Sequence, residues 1–420
     1  NELFGVRNPS IALCYTEVVA NPLQKLAGFF KQAVQSGAES VVGIDVGSAY
    51  LKLVQLRRKA GRAVLETYGS LALGPYAGVE IGRATRLPPD TLAEALKDLV
   101  REAHVTTTRA AFAIPFSSSL VTLMTMPVLE RKQLSGAVPI EARKHIPVPI
   151  SEVSLDWWII PKEPGAAVSP ERASSGADDA ARSGAPDAAP LETPQEFRVL
   201  IAAIHQDALA RFEDIARRTG LLSSFFEIEV FSTVRALLPQ DLEPHAILDL
   251  GAGATKLFII DRGLLQFSHL INHGAQDLTL ALSRAKGIGV SEAEQEKRKT
   301  GLLEGEPERI SGEIRAGERS GVAASLLGLL NVVFAEAERA LESFRARSGR
   351  EVKDLILAGG GANLPGIAAL AERASRLPVR RADPMREVEA PAFLAPVLAE
   401  VGPELAVALG VALRRLQETG

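Results

Sequence analysis

The sequence predicts an α/β protein built from two related halves around a cleft, and three observations carry that expectation. Short β-branched strands alternate with amphipathic helices along most of the 420 residues. The pattern Asp45-Val-Gly47-Ser48-Ala-Tyr-Leu-Lys52-Leu-Val returns half a chain later as Asp249-Leu-Gly251-Ala252-Gly253-Ala-Thr255-Lys256-Leu-Phe. A third glycine-rich turn, in LILAGGGANLPGIAAL from 355 to 370, again joins a strand to a helix. Such a length exceeds one ordinary core and divides into two domains with room for a smaller module.

Taken in order, residues 22–36 place Leu23, Leu26, Phe29, Phe30 and Val34 at helical spacing, with Lys25, Gln32 and Gln35 opposite. This amphipathic helix belongs to an N-terminal extension, 1–40, and either packs on its own protein or makes a weak membrane-surface or partner contact. Strands begin at Val41. The helix TLAEALKDLVREA then puts Leu92, Leu96, Leu99 and Val100 on one face, with Thr91 and Glu94 in capping-box positions. Residues 161–195 are rich in Ala, Ser, Gly, Pro and acidic side chains and nearly lack large apolar ones. They cannot bury enough surface to offset their ordering entropy, so a disordered insertion is expected there. Its flanks, EVSLDWWII and EFRVLIAAI, both read as strands, which makes the insertion an overgrown loop between neighbours. Next come the helix QDALARFEDIARRTG, ended by Gly220, and strands near 225–231 and 245–250. Helices are expected near 275–286, 291–300, 322–347 and 366–376, so the second half repeats the plan of the first.

Composition narrows the class. Hydrophobic residues are 46 %, charged residues 23 % and the net charge is −4, which describes ordinary globular polarity with no basic surface to make nucleic acid a default partner. The single cysteine, Cys14, excludes an internal disulfide framework and fits a reducing compartment. No apolar run approaches the roughly 20 residues that span a bilayer, and the first residues, beginning at Asn1, lack a secretory pattern. A cytoplasmic location is expected.

The repeat carries readable chemistry. Glycines after each aspartate let the turn bring backbone N–H groups close to an anion, and two such turns opposed would clamp a polyphosphate. Asp45 and Asp249 cannot bind phosphate themselves, but they can hold Mg²⁺ through its water shell, and the metal then bridges to phosphate oxygens. A lone Asp-x-Gly also marks ordinary hairpins, so the duplication is what favours the functional reading. Lys52 and Lys256 either reach phosphate or are solvated strand residues. The third loop is not a dinucleotide fingerprint, because Leu364 stands where the last glycine would, and it lacks the Gly-Lys-Ser/Thr of a Walker A loop. Gly359, Gly360 and Gly361 fit a nucleotide's ribose and α-phosphate. In SEAEQEKRKTG, Glu294, Lys297 and Arg298 share one helix face, where Ser291 and Glu294 equally satisfy a capping box.

This set, in this order, resembles the actin-like ATPase superfamily, which includes actin, the heat-shock chaperones and the cell-division protein FtsA. The resemblance implies two ribonuclease H-like halves around a nucleotide cleft, with ATP and Mg as cofactors. It implies that Asp45 and Asp249 hold the metal through water and that Gly47, Ser48, Lys52, Gly251, Gly253 and Thr255 form the phosphate turns. Gly359, Gly360 and Gly361 would then be the adenosine loop, Glu294, Lys297 and Arg298 the adenosine-side helix, and Glu229 the acidic residue of the connecting motif, unless it is a solvent-facing strand end. Ala252 and Ala254 depart from the usual Gly and Thr, which bears on binding strength and hydrolysis more than on the fold.

Residues 126–160 narrow the resemblance. A Met-Pro strand end, a helix reading I-E-A-R-K-H-I-P-x-P and an acidic-start strand with Leu-Asp look like the PilM family of type IV pilus assembly, as do GIDVGSAYLKLVQL and LGVALRRL. That resemblance implies a first half over 41–225 containing an extra subdomain at about 110–205, a second half over 226–400, and a C-terminal helix, 401–420, packing back on the first half. It implies an ATP-binding component of the inner-membrane assembly platform, at the cytoplasmic face and peripheral to the membrane. Its partner would be the N-terminal cytoplasmic peptide of a PilN-like inner-membrane protein, with the pilus assembly ATPase as a second candidate. No catalytic residue is assigned and at most slow ATPase activity is expected. The rival readings are a sugar kinase of the same superfold, with Glu130 or Glu141 as base, and an FtsA-like membrane-tethered filament former.

Overall fold

The run Ser40–Val46 (β1) is apolar without alternation because it lies mid-sheet, with side chains buried on both faces. Residues 40–127, 131–160, 196–238, 241–303 and 321–418 of the computed structural model are described here, so the amphipathic helix of 22–36 and the insertion of 161–195 lie outside them.

β1 pairs antiparallel with β2 (Tyr50–Lys59), which pairs with β3 (Arg62–Ala72), while β4 (Arg109–Ile114) runs parallel on the other side of β1. The three-stranded unit of β5 (Ser119–Pro127), β6 (Val153–Ile160) and β7 (Glu196–His205) follows, and β8 (Leu222–Ile228) then extends the first sheet parallel to β4. In the second half β9 (His245–Leu250) pairs antiparallel with β10 (Thr255–Asp261), β10 with β11 (Leu264–Ile271), and β9 parallel with β12 (Asp354–Ala358), which carries β13 (Val379–Arg381). The short β14 (Val388–Glu389) adds to the edge at β3. The two sheets therefore read β3-β2-β1-β4-β8 and β11-β10-β9-β12-β13. Strand for strand, the second repeats the first, so the sequence repeat is a repeat of topology.

Helices α1 (Pro89–Glu102) and α3 (Gln206–Thr219) pack together on one face of the first sheet, where Leu99 fills the space above Gly69. The capping box at Thr91 does not form: α1 starts two residues earlier, at Pro89, whose fixed φ suits a first helical position. On the other face lie α4 (Glu229–Leu237) and α9 (Ala395–Glu418). α9 comes so close that a Cβ on Gly43 would sit 2.1 Å from the Ala408 carbonyl oxygen, and one on Gly410 would sit 1.9 Å from that of Ser232. The charged interior of this layer is neutralised in place. Arg235 donates to both oxygens of the buried Glu227, at 2.7 and 2.6 Å, and to the Gly410 carbonyl at 2.9 Å.

The second sheet is covered by α5 (Ala275–Lys286), α6 (Val290–Thr300), α7 (Gly321–Ser348) and α8 (Ile367–Ser375). Its opposite face contributes Ile247, Phe258, Ile260 and Ile356 to the core of the first half. The three-stranded sheet, ordered β5-β7-β6, is buried on both sides because β7 alternates perfectly: Val199, Ile201 and Ala203 face α2 (Arg131–Ala142), and Leu200, Ala202 and Ile204 face the first-half core. The flanks of the insertion pair with each other from Val153↔His205 to Ile160↔Arg198. Of the segment expected as a helix from Ile140 onward, only Ile140, Glu141 and Ala142 are helical; the chain then turns toward Pro147.

Two stretches, α7 and Ala392–Glu418, are long and apolar enough to cross a bilayer by length and composition, which corrects the expectation drawn from apolar runs. Both give their apolar faces to protein: Val322, Leu326, Leu330 and Phe334 to the second core, and Leu405, Ala408, Leu409 and Ala412 to the first.

Candidate functional site

The two aspartate turns are the same structure twice. Gly47 N–H donates to the Tyr50 carbonyl at 3.0 Å and Gly251 N–H to that of Ala254 at 3.1 Å, and in each case a Cβ on the glycine would sit 2.7 Å from that oxygen. Only glycine closes these turns without displacing the backbone. The seven-residue spacing from aspartate to lysine has a geometric cause: Asp45 lies directly across the ladder from Lys52, and Asp249 from Lys256. Cross-strand partners share a sheet face, so each carboxylate meets its ammonium, at 3.2 Å for Asp45–Lys52 and 2.9 Å for Asp249–Lys256. With side chains only 14 % and 16 % exposed, the lysines are not solvated strand residues.

Both turns open into one cavity of about 1040 Å³ between the halves. Ser48 Oγ is 3.0 Å from where a Cβ on Gly253 would stand, so glycine there lets the two turns approach. Thr255 is buried and donates to the His273 carbonyl at 2.7 Å, which makes it a brace for the second turn. The third loop rests on that turn. Gly359, with φ +75°, has Asp249 Oδ1 2.4 Å and the Leu250 carbonyl 2.7 Å from its missing Cβ. Gly361 is similarly close to Leu250, and Gly360 faces Glu404. Pro365 lies outside α8, which begins after Gly366.

Glu229 is neither in a strand nor in solvent. It opens α4 and is 6 % exposed, with Oε1 accepting from Phe116 N–H at 2.6 Å and Oε2 from Lys256 at 2.9 Å. Burial, reinforced by Asp249 and Asp45 and opposed by Lys256, pushes its pKa up. For Lys52, burial works against the charge, but Asp45, Glu404 and Asp249 outweigh it and raise its pKa; Lys256 is raised likewise, against burial, by Asp249 and Glu229. Glu404, on α9, escaped the sequence reading because no glycine turn or motif marks it; only the fold carries it into the cavity. Around the turns, then, four carboxylates (Asp45, Asp249, Glu229, Glu404) face two ammonium groups.

The capping reading of Glu294 fails: α6 starts at Val290 behind Gly289, with no side-chain cap. Glu294 is instead buried, accepting from Lys297 at 2.6 Å, Thr279 at 2.6 Å and Arg298 at 2.7 Å, and these partners outweigh burial to lower its pKa. Glu294, Lys297 and Arg298 all line the cavity, as do Asp45, Asp249, Gly47, Ser48, Lys52, Gly251, Gly253, Thr255 and the Gly359–Gly361 loop, so the structure brings together every residue predicted for nucleotide and metal, while Glu141 lies elsewhere.

No three His, Cys, Asp or Glu side chains converge as a metal cage among the described residues. An excess of carboxylates without a cage suits a hard cation that keeps waters and takes phosphate oxygens, which is the preference of Mg²⁺. The glycine turns and the lysines suit the phosphates.

Two sheets of identical order, with an aspartate turn from each facing one cleft, define the actin-like ATPase fold. The particular family follows from the family model of the type IV pilus assembly protein PilM, which matches residues 43–175 and 188–416: the chain belongs to that family. Among solved structures, a chain of the "PilM-PilN type IV pilus biogenesis complex" is similar at a TM-score of 0.69 and 23 % identity, over 90 % of this chain and 98 % of that one. MreB5 of Spiroplasma citri bound to AMPPNP is similar at a TM-score of 0.48 and 14 % identity, over 91 % and 98 %. Ethanolamine utilization protein EutJ from Carboxydothermus hydrogenoformans is similar at 0.47 and 14 %, over 90 % of each chain.

Proposed function

We propose that this protein is a nucleotide-responsive adaptor of the type IV pilus inner-membrane platform: it takes a magnesium nucleotide into its cleft and the cytoplasmic N-terminal tail of a PilN-like membrane protein on its inserted three-stranded subdomain. The observation that carries the nucleotide half is the pair of aspartate turns, each with its own cross-strand lysine, opening into one cavity. Lys52 and Lys256 would turn from carboxylate toward phosphate, while Asp45 and Asp249 would hold the waters of the ion, which supplies charge neutralisation to the phosphates. Gly359–Gly361 and the Glu294, Lys297 and Arg298 helix face would take the nucleoside.

Glu229 has both oxygens engaged and is not a free base, so the nucleotide acts here as a conformational ligand. Its route to the partner is short. Glu229 joins Lys256 of the second half to Phe116, where the chain enters the inserted subdomain, and the Phe116 ring meets Phe258 of the second half edge-on at 5.4 Å. The partner half is supported by membership of the PilM family and by the similar chain of the PilM-PilN complex. A cytoplasmic position at the membrane face follows from the same partner.

The sugar-kinase alternative finds little support: Glu141 is held by Lys144 on the surface of α2, away from the cavity, and Glu130 lies outside the described residues. Titration of the purified protein with the N-terminal peptide of a PilN-like protein, with and without Mg-ATP, is expected to give saturable binding whose affinity differs between the two conditions. No binding in either would remove this reading, and equal affinity would remove its nucleotide dependence.

A further inference from the structure

One first-half segment, residues 79–87, lines the cavity through Gly82, Thr85, Arg86 and Leu87 and, besides its anchors in the first half, is bonded to the second. Ala84 N–H donates to Gln276 Oε1 on α5 at 2.6 Å, and Thr85 N–H donates to the Ser48 carbonyl at 2.7 Å, which ties the same segment to the first aspartate turn. Between them Gly82, with φ +92°, lies against Glu294 on α6: a Cβ there would meet its Cγ and Cδ at 3.2 Å and Oε2 at 3.3 Å. Both conformation and space demand glycine. Beside this strap, Arg298 of α6 donates to the Tyr50 hydroxyl at 3.0 Å, and its guanidinium carbon lies 5.7 Å from the centre of the Tyr50 ring. Tyr50 closes the first turn through its carbonyl, so its side chain projects from the phosphate-side loop itself.

These contacts share a property. The contacts of Ala84 with Gln276, of Gly82 with Glu294 and of Tyr50 with Arg298 each join the first half to a second-half helix, and none of these residues belongs to either core. Tyr50, Gly82, Gln276, Glu294 and Arg298 all line the cavity, so these contacts stand at the wall of the space that a nucleotide would fill. We propose that residues 79–87 and Tyr50 form a latch on the cleft, with Gln276 and Arg298 as its catches, that governs how fast a bound nucleotide leaves. The proposal rests on the nucleotide reading for its ligand, but the latch itself is a property of the free protein. Tyr50 and Gln276 are thereby positioning residues: Tyr50 fixes Arg298, and Gln276 fixes the strap. The coupling is mutual, because a nucleoside that engages Glu294 and Arg298 stiffens the surface on which Gly82 rests.

Amide hydrogen exchange on the nucleotide-free protein, together with release of a fluorescent ATP analogue from the magnesium-loaded protein, tests this. The Ala84 and Thr85 amides are expected to be protected in the wild type. Gln276→Ala should abolish protection at Ala84 while the amides of β1 and β9 stay protected. Gln276→Ala and Tyr50→Phe should each speed analogue release about tenfold, the effect of one lost hydrogen bond, with association changed by less than about threefold. Free exchange of the strap in the wild type, or unchanged release in both variants, would overturn the latch. If the analogue does not bind at all, the nucleotide reading falls and the exchange result alone decides the latch.

Discussion

Lys256 pairs with two buried carboxylates at once, Asp249 and Glu229, each 2.9 Å away. Removing it leaves both buried carboxylates without their direct ion-pair partner, which costs roughly 3–5 kcal/mol, whereas neutralising Glu229 as well removes one of them. Lys256→Met is therefore expected to lower the unfolding midpoint strongly, and adding Glu229→Gln should recover part of the loss; additive losses in the double variant would show that the two do not interact. Asp156 on β6 is the other charged residue at odds with its surroundings. It is 5 % exposed, accepts one hydrogen bond from Trp157 N–H at 2.9 Å and has no partner on Oδ2, and burial pushes its pKa up to about 7. The folded-state value lies above the unfolded one, so its contribution is fully present below about pH 4 and is lost as pH rises to about 7. The loss is at most about 4 kcal/mol. In denaturant titrations, Asp156→Asn should flatten the fall in stability between about pH 4 and pH 7; an unchanged slope would assign that fall elsewhere. Neither residue's state was legible in the sequence, because a strand aspartate looks the same whether its face meets solvent or a core.

At the scale of elements, the sequence revealed what is local and periodic. The ranges of α5, α6, α7 and α8 fall within a residue or so of those expected, and the flanks of the insertion were recognisable as strands. Two helix starts differ from the expectation: α1 begins at Pro89, whose own φ suits the first position, rather than at the polar cap, and Glu229, held by Phe116 and Lys256 from far along the chain, begins a helix instead of ending a strand. The seven-residue spacing from Asp to Lys was visible, but its cause, the cross-strand pairing, needed the ladder. That the C-terminal helix packs on the first half was expected from the family resemblance, but the closeness of its docking was not, since Gly43 and Gly410 are ordinary glycines until the helix is laid on β1 and α4. Gly410→Ala would push a methyl into the Ser232 carbonyl, 1.9 Å from the built position. Overpacking of this kind costs about 1–3 kcal/mol, so a lower midpoint of unfolding is expected with secondary structure retained. An unaltered midpoint would mean that α9 can back away from α4.

For the whole molecule, duplication is the organising fact. One strand order used twice sets two aspartate turns face to face, the inserted subdomain branches from the first copy beside Glu229, and a strap from the first copy reaches across to the second. Asp45, Gly47, Lys52 and their counterparts Asp249, Gly251 and Lys256 were legible because the repeat preserves residue types; Glu404, Tyr50 and Gln276 were not, because they enter the cleft only through the arrangement of the halves. The account depends on the cleft holding a magnesium nucleotide between the turns, and calorimetric titration of the wild-type protein and of Asp45→Ala with Mg-ATP tests that most directly. The wild type should bind one nucleotide in a magnesium-dependent manner, and Asp45→Ala, with its fold intact by circular dichroism, should bind at least tenfold more weakly. Equal affinity in the two proteins, or no binding by the wild type, would contradict it.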